Sequence, residues 1–193
     1  MKILFSLFLL MVSLPIFAEK YVIDPDYSTV SFSVPFMTYG KIYGHFDTIN
    51  GKITLDKEGN IKKISGEIPV NSLSTGNEKR DSLLLSDAFF DERKFDKIVF
   101  KSLKISADEG TQDGIVHIIV YINGIKTLLE APIKVKGVIT ENRRIKHMFF
   151  HSEIDFERNK YGMNYNVFMN ETPLIGEVVH VTFDIKATRK KLF

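Results

Sequence analysis

His147 and His151 stand four residues apart. On an α-helix that spacing would put both imidazoles on one face, where they could share a metal ion. The residues around them alternate with period two instead, so the pair is read as part of a β-strand, where positions four apart share a face but lie about 13 Å from each other. One metal cannot bridge that distance, and the two are read as surface or partly buried histidines. His45, His117 and His180 are scattered singly, while Asp24-x-Asp26 and Asp91-Glu92 are carboxylate pairs of ordinary loop type. No metal site and no cofactor is expected. Cysteine is absent, and neither Gly-x-Ser-x-Gly nor a phosphate-binding glycine loop nor His-Glu-x-x-His occurs. With no nucleophile–base pair to read, no catalytic residue is assigned.

Arg80 and Asp81 carry the next candidate chemistry. They fall in a helical segment where adjacent residues do not face each other. Arg80 has Gly76, Asn77, Leu83 and Leu84 at helical-neighbour spacings, and Asp81 has Asn77, Glu78, Leu84 and Leu85. Neither charge finds an opposite partner on the helix. Each must face water, pair through tertiary structure or meet a ligand head group, with a structural anchor the weightier reading. Arg158, at a strand end before Tyr161-Gly162-Met163, poses the same choice.

The elements that position these residues are mostly strands. Val30, Phe32, Val34 and Phe36 alternate with Ser31, Ser33 and Pro35, which gives one apolar face. Ile42 to Leu55 continues the β pattern, with Gly40, Gly44 and Gly51 read as bends or bulges. A turn at Lys57–Asn60 leads to a strand over Ile61–Val70. Strands over Ile98–Ile105, Ile115–Ile122 and Ile125–Val135 follow. Asn123-Gly124 between the last two is a strong hairpin signal. Arg144–Phe156 and Val178–Ala187 complete the set, with a long loop over Glu157–Glu177. The one helical segment lies between Asn71 and Phe95. Thr75 and Glu78 read as a capping box, and Leu83, Leu84, Leu85, Phe89 and Phe90 supply an apolar face to cover one end of a barrel or one face of a sheet. About eight strands without a βαβ rhythm predict an all-β antiparallel barrel with a short helical insert. Such a barrel is just wide enough to be filled by side chains or to hold one small ligand, and alternation is the same in both cases.

Met1–Ala18 reads as a secretory leader, with Lys2 before an apolar run and Ile16-Phe17-Ala18 as a cleavage site. The run is short for a membrane span of about 20 residues and is broken by Ser13 and Pro15. Residues 19–193 then form one domain in the periplasm or outside the cell, with no later transmembrane helix. The formal charge of +2 falls to +1 without Lys2, which gives no electrostatic case for nucleic acid. Arg189-Lys190-Lys191 reads as a solvated chain end. Three of the sixteen phenylalanines (Phe5, Phe8, Phe17) lie in the leader, leaving thirteen for the domain. With Met37, Met148, Met163 and Met169, these could line a pocket for a lipid tail or simply form core. The oligomeric state stays open between a monomer and a homodimer.

A set of ordered motifs resembles the YceI-like family of exported, lipid-binding barrels. Tyr21-x-Ile23-Asp24-Pro25-x-x-Ser28-x-Val30-x-Phe32 is similar to its opening strand, and Gly44-x-Phe46 with Gly51-x-Ile53 to the next. Asn71-Ser72-x-x-Thr75-Gly76, Arg80-Asp81-x-x-Leu84 and Phe89-Phe90-Asp91 resemble its signature segment. Phe95–Ser102, Asn123-Gly124-Ile125-Lys126 and Arg158-x-x-Tyr161-Gly162-Met163 follow in the same order. The resemblance implies a lipocalin-like eight-stranded barrel that encloses a long amphiphile, such as a polyisoprenoid, an isoprenoid quinone or a fatty-acid derivative. It implies a tunnel lined by Val30, Phe32, Val34, Phe36, Phe46, Phe100, Met163, Val181 and Phe183, closed at one end by Leu84, Phe89 and Phe90. Arg80, Asp81 or Arg158 would orient the head group. The family often has His where Phe36 and Leu83 stand here, which implies a less polar head group. Two other readings compete. One is a small outer-membrane barrel, set against the placement of Lys191 and Arg189 in phase with Phe193, where a lipid-facing strand wants apolar residues. The other is an enzyme for a lipophilic substrate.

Overall fold

Thr29–Phe36 (β2) alternates apolar residues with small polar ones and pairs with a neighbour on each side. In the computed structural model, residues 19–37, 39–56, 58–107 and 113–190 are described. The expected leader, Lys57 of the expected turn, and Lys191 and Phe193 of the tail lie outside them. β2 is the second half of a barrel strand whose first half is β1 (Glu19–Ile23), the two separated by a single 3-10 turn at Pro25–Tyr27. The next strand is likewise split, into β3 (Gly40–Phe46) and β4 (Asn50–Leu55). β5 (Ile61–Pro69), the two-residue β6 (Leu73–Ser74) and helix α1 (Glu78–Leu85) follow. Then come β7 (Lys97–Ala107), β8 (Gly114–Ile122), β9 (Ile125–Glu141) and β10 (Arg144–Glu157). A small hairpin of β11 (Phe168–Met169) and β12 (Thr172–Pro173) precedes the last strand, β13 (Val178–Arg189).

Each split pair acts as one strand. β2 pairs β3 while β1 pairs β4, and β13 spans both halves of the first strand, with Val181 opposite Phe32 and Thr188 opposite Val22. Counted so, eight antiparallel strands follow one another in chain order, and β13 returns to β1 to close the barrel. Closure runs through β1, β4, β5, β7, β8, β9, β10 and β13, while Gly40–Gly44 of β3 pairs only with β2.

Three expectations change in detail. The capping box at Thr75 gives way to Asn77, whose side-chain oxygen accepts from the Arg80 backbone N–H at 3.1 Å, and the helix runs only from Glu78 to Leu85. Gly76, at φ +72°, inserts a turn between Thr75 and the cap, and Phe89 and Phe90 fall beyond the helix. Gly44 and Gly51 are neither bends nor bulges: both sit in regular pairing, and the break between β3 and β4 falls at residues 47–49 instead. The β9–β10 hairpin extends past Val135 to Glu141, and Asn142 and Arg143, both at positive φ, make its turn.

Two apolar clusters occupy the interior around a cavity. One packs Tyr21, Leu55, Met148, Phe150 and Ala187 into a plug at one end of the barrel. The other surrounds Val30, Phe46, Val70, Phe89, Phe90 and Tyr161 toward the helix end. Outward positions on β13 are polar or charged (His180, Thr182, Asp184 and Lys186), whereas other strands also expose apolar residues, such as Ile115 and Tyr121 on β8 and Leu103 on β7. The β13 face is the reverse of an outer-membrane barrel strand, whose outer band is apolar. No helix among the described residues is long and apolar enough to cross a membrane.

Candidate functional site

Strands all round the barrel line an elongated cavity, and four of them give four alternate residues each. β2 contributes Val30, Phe32, Val34 and Phe36, and β8 contributes Val116, Ile118, Val120 and Ile122. β10 contributes Phe150, Ser152, Ile154 and Phe156, and β13 contributes Val179, Val181, Phe183 and Ile185. Each set is every second residue over six steps, so the lined stretch runs about 20 Å along each strand. The cavity volume is about 560 Å³, within the range of roughly 300–1,000 Å³ usual for small-molecule sites. The plug forms its floor through Phe150 and Ile185, which are register partners. Lys41, Leu83 and Val167 line it and are exposed, so they mark its mouth.

The space stays open because two phenylalanine rings lie against the wall. A Cβ on Gly44 would stand 2.3 Å from the Phe32 ring, and one on Gly66 would stand 2.4 Å from the Phe100 ring. In both cases the glycine is the direct cross-strand partner of the phenylalanine. The rings occupy the volume a side chain would take, an arrangement known to compensate strand glycines, and the lumen keeps the remainder. Phe32 also stands 5.8 Å from Phe46, which meets Phe90 edge-on at 6.0 Å. This aromatic row ties β2 and β3 to the turns after α1.

Fourteen of the fifteen binding residues expected from the sequence line this cavity: Val30, Phe32, Val34, Phe36, Phe46, Arg80, Leu84, Phe89, Phe90, Phe100, Arg158, Met163, Val181 and Phe183. Asp81 is not among the lining residues. Its carboxylate accepts from the Thr75 backbone N–H at 2.9 Å and from the Thr75 hydroxyl. Arg80 donates to the same threonine, through Nε to Oγ1 at 2.7 Å and through Nη2 to the carbonyl at 2.9 Å. The two adjacent charges that lack helical partners thus converge on one residue outside the helix and fix the entry of α1 over the barrel.

Arg158 is 4% exposed, and its hydrogen bonds among the described residues go to backbone carbonyls. It donates to the carbonyls of Gly176 (2.8 Å), Tyr165 (2.9 Å), Ile175 (3.3 Å) and Met163. Burial holds its pKa below the ordinary guanidinium value, with Glu177 opposing the shift. The loop from Glu157 to Glu177 is gathered around this side chain. It is also strapped to β2 by Met37 N–H to Leu174 C=O (2.7 Å) and Gly176 N–H to Pro35 C=O (2.8 Å).

The β8 and β10 walls, Lys41 and Ser152 are additions to the residues singled out above. The alternation of β8 and β10 is as regular as that of β2, and that signal was available to find them. His147 and His151 both lie on β10. His147 Nδ1 meets the Thr188 hydroxyl, and His151 sits between Asp184 and Glu153. No cluster of three or more His, Asp or Glu side chains among the described residues is arranged to hold a metal.

Comparison with known proteins places this geometry. Residues 21–187 match the family model of the YceI-like domain. A UPF0312 protein of Staphylococcus aureus is 26% identical over 151 residues, covering 76% of this chain and 84% of that protein. Among solved structures, BcnA of Burkholderia cenocepacia superposes with a TM-score of 0.71 at 19% identity, over 86% of this chain and 99% of its own. A polyisoprenoid binding domain from Saccharophagus degradans does so with a TM-score of 0.67 at 16% identity, over 88% and 98%. At these identities the two structural matches establish the fold alone.

Proposed function

The chain belongs to the YceI-like domain family, and from that premise we propose that it is a non-catalytic binding protein enclosing the tail of a long amphiphile for storage or transport. The observation that carries this reading is the cavity of about 560 Å³, apolar along its strands and bearing Lys41 and Arg80 toward its mouth. Such a site stabilises a tail by burying it, at about 25 cal/mol per Å² before ordering costs. The ligand class is a polyisoprenoid, an isoprenoid quinone or a fatty-acid derivative. The similarity to a polyisoprenoid binding domain supports the first of these. The leader-like Met1–Ala18 supports action in the periplasm or outside the cell.

Native mass spectrometry of protein purified without detergent, followed by organic extraction, should reveal a stoichiometric amphiphile. Phe32→Asp, which puts a carboxylate on the cavity wall, should abolish its retention while the barrel still folds. A folded Phe32→Asp protein that keeps its lipid would refute the pocket. The head group is proposed to be weakly polar, since Phe36 and Leu83 stand where relatives often carry His. Phe36→His with Leu83→His should shift the bound-lipid profile toward more polar heads, and an unchanged profile would count against that assignment.

A further inference from the structure

Sixteen inward positions on β2, β8, β10 and β13 line the cavity, and fifteen of them are apolar. The exception is Ser152. Of the other polar side chains that line the space, Tyr165 is 41% exposed and the charged ones and His151 are engaged or at the mouth. Lys41 lies at the mouth, while Arg80 and Arg158 are engaged with Thr75 and the Glu157–Glu177 loop. His151 turns to Asp184 and Glu153. Ser152 is the next inward residue above Phe150 on β10, one step above the floor, with Phe183 as its register partner on β13. Its hydroxyl is buried and has no hydrogen-bond partner among the described residues. A second buried serine shows the contrast: Ser102 is 8% exposed, and its hydroxyl accepts from the Ile64 backbone N–H at 2.9 Å. One buried hydroxyl serves the fold and the other does not. Buried polar groups are nearly always paired, so an unpaired one invites a partner from outside the chain.

We propose that Ser152 is a deep polar subsite that donates a hydrogen bond to an oxygen, a carbonyl or hydroxyl, borne on the buried part of the ligand. Phe156 lies four steps along the strand toward the mouth, so this oxygen lies about 13 Å in along the wall. The preferred ligand is therefore oxygenated along its length or at its inner end, in addition to any polar group at the mouth. The inference rests on the amphiphile-binding reading above.

The test uses delipidated full-length domain and a series of ketostearic acids with the carbonyl moved along the chain, compared with stearic acid by displacement of a fluorescent fatty acid. The wild type should favour one keto isomer by about 2- to 10-fold, the worth of one net hydrogen bond. Ser152→Ala should lose that preference while binding stearic acid at least as tightly, and without ligand it should melt no lower than the wild type. Stearic acid bound with no isomer preference, or a preference that survives in Ser152→Ala, would overturn the subsite and leave the amphiphile reading standing. A Ser152→Ala protein that melts clearly lower would show the hydroxyl to be structural and would also overturn it. Failure of every fatty acid to bind the wild type would defeat the amphiphile reading and the subsite together.

Discussion

The two ends of the barrel are built from the same strands with the same alternation, yet one is packed solid and the other is hollow. At the plugged end Tyr21, Leu55, Met148 and Ala187 are at most 1% exposed and meet across the axis. Tyr21 is drawn in completely because its hydroxyl donates to the Ile145 carbonyl at 2.8 Å and lies 2.9 Å from Glu19. Burial pushes its phenol pKa up, with Glu19 adding to the shift. In the hollow part, inward residues are as apolar but leave the axis open: Phe32 and Phe100 lie over Gly44 and Gly66 rather than reaching across. The difference lies in where bulk is directed, toward the axis in one half and along the wall in the other.

That contrast can be broken most forcefully by truncation. Met148→Ala in the plug should cost about 2–5 kcal/mol in urea denaturation, because its surroundings are close-packed on all sides. Ile154→Ala on the cavity wall should cost less than half as much, since part of the isoleucine already faces empty space, and should instead weaken ligand retention. Equal losses would mean that the lumen is packed in solution.

Gly44→Ala sharpens the contrast from the other side. The added methyl must displace the Phe32 ring into the lumen, at about 1–3 kcal/mol, and should lower ligand affinity. Adding Phe32→Leu should restore both stability and binding. An affinity loss that the second substitution does not relieve would separate the glycine from the ring.

The smallest effect concerns the turn beside the plug. Asp56 accepts from the backbone N–H groups of Glu58 (3.0 Å) and Asn60 (2.8 Å), and from Lys62 Nζ at 2.9 Å. Burial alone would raise its pKa, but the hydrogen bonds from Lys62 and Asn60 outweigh that and hold it well below the usual carboxylate range. A depressed folded pKa gives stability that is present above the unfolded value of about 3.9 and is lost as pH falls further. Asp56→Asn should therefore be less stable at pH 7 by about 1 kcal/mol. The gap should narrow progressively in thermal melts as pH falls below about 4, with ligand binding unaffected. A gap as wide at pH 2 as at pH 7 would remove the ionic explanation.

Much of this arrangement could be read before any coordinates. The alternation from Val30 to Phe36 gave β2 and its four wall residues, and Asn123-Gly124 gave the β8–β9 turn, with both residues at positive φ. The helix cap was misplaced by two residues because Thr75 has the right side chain, and only the folded chain shows that Asp81 and Arg80 already use it. The last six residues of β9 escaped notice because Lys136 to Glu141 lacks the run of alternating apolar residues that marks a buried strand. They pair with β10 only and are mostly exposed. Arg158 showed only that it had a task, since its partners are four backbone carbonyls, which any sequence supplies.

Period-two patterning and turn residues determined on their own that this chain forms an antiparallel barrel of about eight strands with one helical insert, because both signals are local in the chain. Whether that barrel is filled or hollow, where its floor lies, and that Ser152 is the odd member of its wall were decided only by the tertiary structure. Those properties depend on which residue stands across the sheet from which, as Gly44 does from Phe32 and Ser152 from Phe183. Inward alternation is the same for a side chain that meets a neighbour and for one that faces empty space.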